Sequence, residues 1–222
     1  MAIPVQFNFV PQDLQAICQN QTTAGSGNLT INGTYVDQNA LGVGVQRAFL
    51  PGGVGYGLAL QSSGNVSAVS FTAYGLDVYG QTVSASISGP NNSIVVTAQE
   101  FAAVTQISVD QAVGTNTRVG ISGHGASRPY KLDTFMNPIN MDASVSIVAT
   151  ATAALQSTDQ NLNTIVPISG AAAVVWTNLA SVSNVTASTI ATISSPHRYV
   201  RLYVSGANAT GTVTAVCTQA GW

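Results

Sequence analysis

Val-Ser-Ala-Val-Ser-Phe-Thr-Ala-Tyr-Gly (66–75) opens the stretch that decides how this chain folds. It turns through Leu-Asp-Val-Tyr-Gly (76–80), runs on from Gln81 to Ser88 and turns again at Gly-Pro-Asn-Asn (89–92). Ser-Ile-Val-Val-Thr (93–97), Thr-Gln-Ile-Ser-Val (105–109) and Thr-Arg-Val-Gly-Ile (117–121) follow. β-Branched side chains suit a pleated, half-buried surface, and Gly, Pro and Asn supply the turn geometries between such runs. Short runs punctuated about every ten residues in this way predict a meandering all-β domain.

Composition sets the character of the surface. Charged residues make up 6% of the 222 positions, against roughly a quarter in an ordinary soluble protein. The apolar fraction is 45%, so Ser, Thr, Asn, Gln and Gly have taken the place of charge rather than of core. Disorder needs low hydrophobicity and high charge, and this chain has the reverse. A surface of neutral hydroxyls and amides is readily desolvated and re-paired against another surface. The net charge is −2, and Arg47, Arg118, Arg128, Lys131, Arg198 and Arg201 are the only basic residues. Six scattered cations do not make the clustered footprint that a phosphate backbone requires. No direct nucleic-acid partner is expected.

Met-Ala-Ile-Pro-Val-Gln-Phe-Asn-Phe-Val at the start has neither a basic region nor a sustained apolar one, so no signal peptide is expected there. The longest apolar patch, Ala171 to Trp176, is far short of the ~20 residues of a membrane-spanning helix. Asn28, Asn32, Asn65, Asn184 and Asn208 each begin an Asn-x-Ser/Thr triplet, a by-product of this composition without a secretory route. Cys18 and Cys217 lie near opposite ends and are expected as separate buried thiols in a reducing compartment.

Residues 1–26 read as an N-terminal arm. Ile3 to Val10 alternates as a strand with Val5, Phe7 and Phe9 on one face, and Pro11 opens a short helix over Gln12 to Cys18. The strand either closes its own domain or pairs with a neighbouring subunit, and both readings stand open. Three strands are expected next: Leu29–Val36, Val45–Leu50 and Tyr56–Leu60. Gly42-Val43-Gly44 lacks the third glycine and following helix of a dinucleotide loop and reads as a turn. Gly-His-Gly-Ala-Ser-Arg-Pro (123–129) is the one place where His, Ser and Arg crowd together, and it reads as an exposed loop.

From Ala143 the texture changes. Val145 to Thr152 and Val185 to Ile193 read as strands around an irregular region from Gln156 to Ala180 that holds Trp176. A closing hairpin is expected, Tyr199–Val204 with Gly211–Thr218. Val200, Leu202 and Val204 form one face of its first arm, and Tyr199, Arg201 and Tyr203 the other. Tyr and Arg are enriched where proteins meet partners, so Tyr199, Arg201 and Tyr203, with Phe7 and Phe9 of the arm, are the candidate interface residues. Tyrosines lying across a half-exposed sheet would look the same. A boundary between Met136 and Asp142, marked by Asn137-Pro138-Ile139-Asn140, divides the chain into a module at 27–136 and a second at 137–222.

The eight carboxylates are scattered, and His124 and His197 have no metal-ligand spacing. Neither a catalytic group, a cofactor nor a metal is expected. Tyr74, Tyr79 and Asp77 are the nearest to a glycan-binding set, though Asp77 reads as a turn residue.

Phe-Thr-Ala-Tyr-Gly-Leu-Asp-Val-Tyr-Gly-Gln-Thr-Val (71–83), then Phe-Ala-Ala-Val-Thr-Gln-Ile-Ser-Val (101–109) and Val119-Gly-Ile, resembles a pattern in small structural proteins of tailed bacteriophages. There a Gly-x-Asp-x-x-Gly turn joins two strands and a Phe-x-x-Val-x-x-Ile strand follows. The ending 199–206 with 211–219 is similar to their closing hairpin; Gln81-Thr82-Val83 departs from the pattern, which has an acidic residue in the second strand. The resemblance implies a virion protein, made in the host cytoplasm, that sits on the outer capsid as a decoration or cement protein. Its partners would be the major capsid protein and copies of itself, as a dimer or trimer. A neck or tail component is the alternative, and a glycan-binding module or hydrolase a third. The fold expected is an antiparallel β-sandwich, jelly-roll or immunoglobulin-like, in two modules with an N-terminal arm and helix.

Overall fold

A computed structural model describes residues 3–37, 46–135, 140–194, 197–206 and 210–219. Gly42-Val43-Gly44, the Asn137-Pro138-Ile139 boundary and the tip of the expected closing hairpin at 207–209 lie outside these. In chain order the strands are β1 (Ile3–Phe9), β2 (Asp13–Thr23), β3 (Gly27–Asn28), β4 (Ala48–Phe49), β5 (Val54–Ser62), β6 (Ser70–Leu76), β7 (Thr82–Ser88), β8 (Ile94–Phe101) and β9 (Ala103–Val109). There follow β10 (Val113–Ser127), β11 (Tyr130–Lys131), β12 (Met141–Val148), β13 (Thr152–Thr158), β14 (Thr177–Asn178), β15 (Thr189–Ile193), β16 (Tyr199–Ser205) and β17 (Thr212–Gln219). The one α-helix among the described residues is α1 (Leu162–Ser169). The protein is all-β, with antiparallel sheets of the sandwich class and one of them curled into a half-barrel.

A strand forms at each of the expected runs from β6 to β10, though β6 begins only at Ser70 and β8 and β10 extend past the runs read as 93–97 and 117–121. The turn after β6 is built by Asp77, whose Oδ1 accepts from the backbone N–H of Tyr79 (2.8 Å) and of Gln81 (2.9 Å). Gly80 completes it at φ 77°, a conformation that favours glycine. Three sheets result. One has the order β1-β17-β12-β15, and another β3-β9-β6-β7 with β4 also on β9. The largest runs β14-β13-β16-β10-β5-β8, with β2 also on β10 and β11 on β16. It therefore takes strands from both sides of position 136, and one apolar cluster extends from Phe7 through Tyr56, Phe101 and Ile121 to Cys217.

Strand β10 holds the large sheet together. Residues 117–121 pair with Ser62–Leu58 of β5 on one side, while Thr117, Val119 and Ile121 meet Gln21, Cys18 and Asp13 of β2 on the other. After a register shift, Gly125 and Ala126 pair with Tyr56 and Gly55 of β5 and with Val204 and Tyr203 of β16. Strand β5 is buried on both faces: Tyr56, Leu58 and Leu60 fill one, while Gly55, Gly57 and Ala59 leave room on the other. The His124 ring lies where a Gly57 side chain would be.

Four local expectations are corrected. The expected helix Gln12–Cys18 is strand β2, because pairing with β10 buries Ala16, Ile17 and Cys18, which a weak helix start cannot match. Leu29–Val36 is a loop folded onto β2, with Gly33 N–H on Ile17 O (2.9 Å) and Tyr35 N–H on Ala16 O (2.9 Å). The expected exposed loop at 123–129 is instead the buried end of β10 as far as Ser127, since Gly125 and Ala126 pair on both edges. The expected closing hairpin does not exist: β16 pairs with β10, β11 and β13, while β17 lies between β1 and β12 in another sheet. Of the two readings for the arm, the intramolecular one is present, with Ile3 to Phe9 paired to Gln219 to Val213.

A Cβ on Gly120 would overlap the Asp13 carbonyl oxygen, whereas one on Gly114 meets open space. Gly120→Ala should therefore lower the urea-unfolding free energy by about 1–3 kcal/mol, with Gly114→Ala inside about 0.5 kcal/mol. Cys18 and Cys217 are both free and buried, and burial pushes their thiols up to about 12 and about 11. A thiol reagent at pH 8 should modify neither in the folded protein and both in denaturant; rapid labelling of the native chain would contradict this packing.

Candidate functional site

Arg201 is a cation held largely out of open water. It lies in β16 between Val200 and Leu202, which are sealed into the core on the opposite face. Its Nε donates to Gln156 Oε1 on β13 (2.8 Å), and Gln156 Nε2 donates to Asn178 Oδ1 on β14 (3.0 Å). The guanidinium carbon is 4.2 Å from the Trp176 ring centre and 5.9 Å from that of Tyr203. Stacking and hydrogen bonding thus fix the head of a side chain that would otherwise sweep many rotamers.

The guanidinium borders a cleft of about 240 Å³ between the β6–β7 turn, β8 and the segment around Trp176. Glu100, from β8, lines the same cleft. Burial pushes the Glu100 carboxyl up to about 7, with Arg201 pulling it the other way. Burial also lowers Arg201, which Glu100, Tyr79 and Tyr203 partly restore. The Tyr79 hydroxyl is raised to about 12 by burial, opposed by Arg201 and reinforced by Asp77 and Glu100. Three buried polar atoms here have no hydrogen-bond partner among the described residues: Asp77 Oδ2, Tyr79 Oη and Trp176 Nε1. Each such atom costs about 1–3 kcal/mol, so their gathering around one cleft marks a place where the fold has given up stability.

The structure brings Arg201 and Tyr203 together, keeps Tyr199 close to Tyr79 and Trp176 of the cleft, and separates Phe7 and Phe9 from them. Tyr199 is buried in a small second core with Leu162 and Val166 of α1 and Val174. Phe7 and Phe9 are buried in the main core, Phe9 edge-on to Tyr56 at 5.3 Å. Asp77 and Tyr79 border the cleft, whereas Tyr74 is exposed in β6 and lies off it. Sequence reading missed Glu100. Its signal was an isolated acid inside an otherwise neutral strand, between Gln99 and Phe101.

Ser122 and His124 also come together, with Ser122 Oγ 3.0 Å from His124 Nδ1. Ser122 is fully buried and no carboxylate bonds the imidazole among the described residues, so the pair fastens β10 internally. No group of three potential metal-ligating side chains exists among the described residues.

Two outer sheet faces are the other notable surfaces. On the four-stranded sheet, Gln6 and Asn8 of β1, Thr214 and Thr218 of β17, and Ser144 and Ser146 of β12 share one side; Thr214 Oγ1 donates to Asn8 Oδ1 at 3.1 Å. On the five-stranded sheet, Thr72 and Ser86 hydroxyls meet at 2.8 Å with Ser108 on the next strand, and no residue of β6, β7 or β9 is charged.

The raised Glu100 carboxyl makes stability depend on pH. Between about 4.5 and about 7 the native state keeps a proton that the unfolded chain has released, so stability falls as pH rises through that window. Glu100→Gln should remove this slope, leaving stability unchanged at pH 4 and raising it by about 1–3 kcal/mol at pH 8. Denaturant midpoints across pH would check it, and a variant equally destabilised at both pH values would refute it. Neither a family model nor a curated protein matches this chain in comparisons with known proteins.

Proposed function

We propose that this protein is a structural subunit of a larger protein shell, acting by surface burial rather than by chemistry. The observation that carries the reading is the pair of outer sheet faces, rich in Ser, Thr, Asn and Gln, with exposed Val148 and Ile190 beside the polar residues of the four-stranded one. In the five-stranded sheet β6, β7 and β9 carry no charged residue, Arg47 lying over Phe49 at the β4 edge, and the face of the four-stranded sheet holds one carboxylate, Asp142. An ordinary soluble surface mixes both signs of charge, which keeps molecules apart. Here a net charge of −2 provides little repulsion. Short hydroxyl side chains lose little rotamer freedom when covered and can re-pair across an interface.

The specific form we propose is a decoration protein on the outer capsid of a tailed phage, the class that the 71–83 and 101–109 stretches resemble. Its sheet faces would lie across junctions between capsid subunits, and many weak contacts would add through multivalency. A symmetric dimer or trimer matched to a capsid axis follows from the usual symmetry of such assemblies. The test is the copy number of this chain, relative to the major capsid protein, in purified particles of the phage that encodes it. A ratio near the capsid lattice count is expected. A few copies per particle would replace the reading with a neck or tail role, and absence from particles would overturn it.

A further inference from the structure

The Arg201 cleft has features that a packing role for the sheet faces leaves unused. No nitrogen of Arg201 lies within 4 Å of a carboxylate oxygen among the described residues. Its Nε is occupied by Gln156, but the two terminal nitrogens make no hydrogen bond there. The Glu100 carboxylate, on the same cleft, accepts no hydrogen bond among the described residues either (its backbone carbonyl takes one from Gln99 Nε2), yet the two groups sense each other's charge. Arg201 cannot swing over to close the gap, because Trp176 and Gln156 hold its head in place. Groups of opposite charge therefore line one half-buried cleft without a direct ion pair between them, an arrangement that costs desolvation without the contact that would offset it.

We infer that the cleft is a binding site for a small zwitterion of the α-amino-acid class, with its carboxylate on Arg201 and its ammonium on Glu100. An anion alone would satisfy Arg201 but add a third negative charge beside Glu100 and Asp77. A cation alone would leave the guanidinium unmatched. A molecule carrying both charges a few ångströms apart answers each group, and planar guanidinium is suited to a carboxylate's two oxygens. The cleft volume of about 240 Å³ lies below the ~300–1,000 Å³ of sites for drug-sized ligands, which limits the occupant to a small side chain. Trp176 Nε1 and Tyr79 Oη border the same space as unpaired groups that a bound molecule or its waters could reach after a small shift.

The test uses the full chain labelled with ¹⁵N and the indole N–H signal of Trp176, distinguished from that of Trp222 by Trp222→Phe. Titrations at pH 8, where Glu100 is ionised, compare L-alanine with propionate and ethylamine, which each carry one of its two charges. Alanine should give a saturable shift, with each half-molecule about tenfold weaker or worse, the equivalent of losing one charge-assisted contact. Arg201→Gln and Glu100→Gln should each abolish the preference for alanine. If Arg201→Gln fails to fold, Glu100→Gln decides, since it removes a group with no hydrogen bond to lose. Below pH 7, where Glu100 takes up its proton, alanine binding should weaken. No saturable shift with alanine, or propionate binding as tightly as alanine, would overturn the zwitterion site.

Discussion

Backbone contact along β10 is the constraint on which the rest of the structure depends. Gly120 lies so close to the Asp13 carbonyl, and Gly125 to the Gly55 carbonyl, that neither position has room for a side chain. That closeness lets β10 pair with β5 along one edge and divide its other edge between β2 and β16. The N-terminal and C-terminal parts of the chain therefore meet on one strand. Apolar burial then follows from the pairing: Val119 and Ile121 are fully enclosed, as are Leu58 of β5 and Leu202 of β16.

The same junction builds the cleft. β16 reaches β10 only at Gly125 and Ala126, and this fixes where Arg201 emerges on the opposite face. Small residues on one face of β5 let neighbouring elements settle close, so that Val78 of the β6–β7 turn and the Cβ of Glu100 both crowd Gly55. Cleft and core thus share a cause.

Period-two patterning and turn residues made β6 through β10 legible, since those features are local. Asp77 and Gly80 specify their turn with their own backbone, whatever the rest of the chain does. What failed was the choice of distant partners. Pro11 and Asp13 look like a helix start, yet the edge of β10, about a hundred residues away, decides the matter. Adjacent strands usually pair, so 199–204 and 211–218 read as a hairpin; alternation cannot reveal that the first has three better partners elsewhere and the second two. The cleft was half legible. Tyr199, Arg201 and Tyr203 announce a face with something to stack on, but Glu100 joins them only through the order of strands in the large sheet.

Pairing of β1 with β17 has a consequence for how the chain is made. Thr214 and Asn8, bonded side chain to side chain, are 206 residues apart, and β17 separates β1 from β12 in the sheet. On a ribosome, which adds roughly 5–20 residues each second, β1 waits for the 206 residues that separate Asn8 from Thr214 to be added. The apolar side of β1, with Phe7 and Phe9, lacks β17 beside it over that time. Closing so long a loop is also entropically slow, as in other folds dominated by non-local strand pairs. The four-stranded sheet therefore cannot close before β17 has been made, and β1 has to be kept free of other partners over that interval.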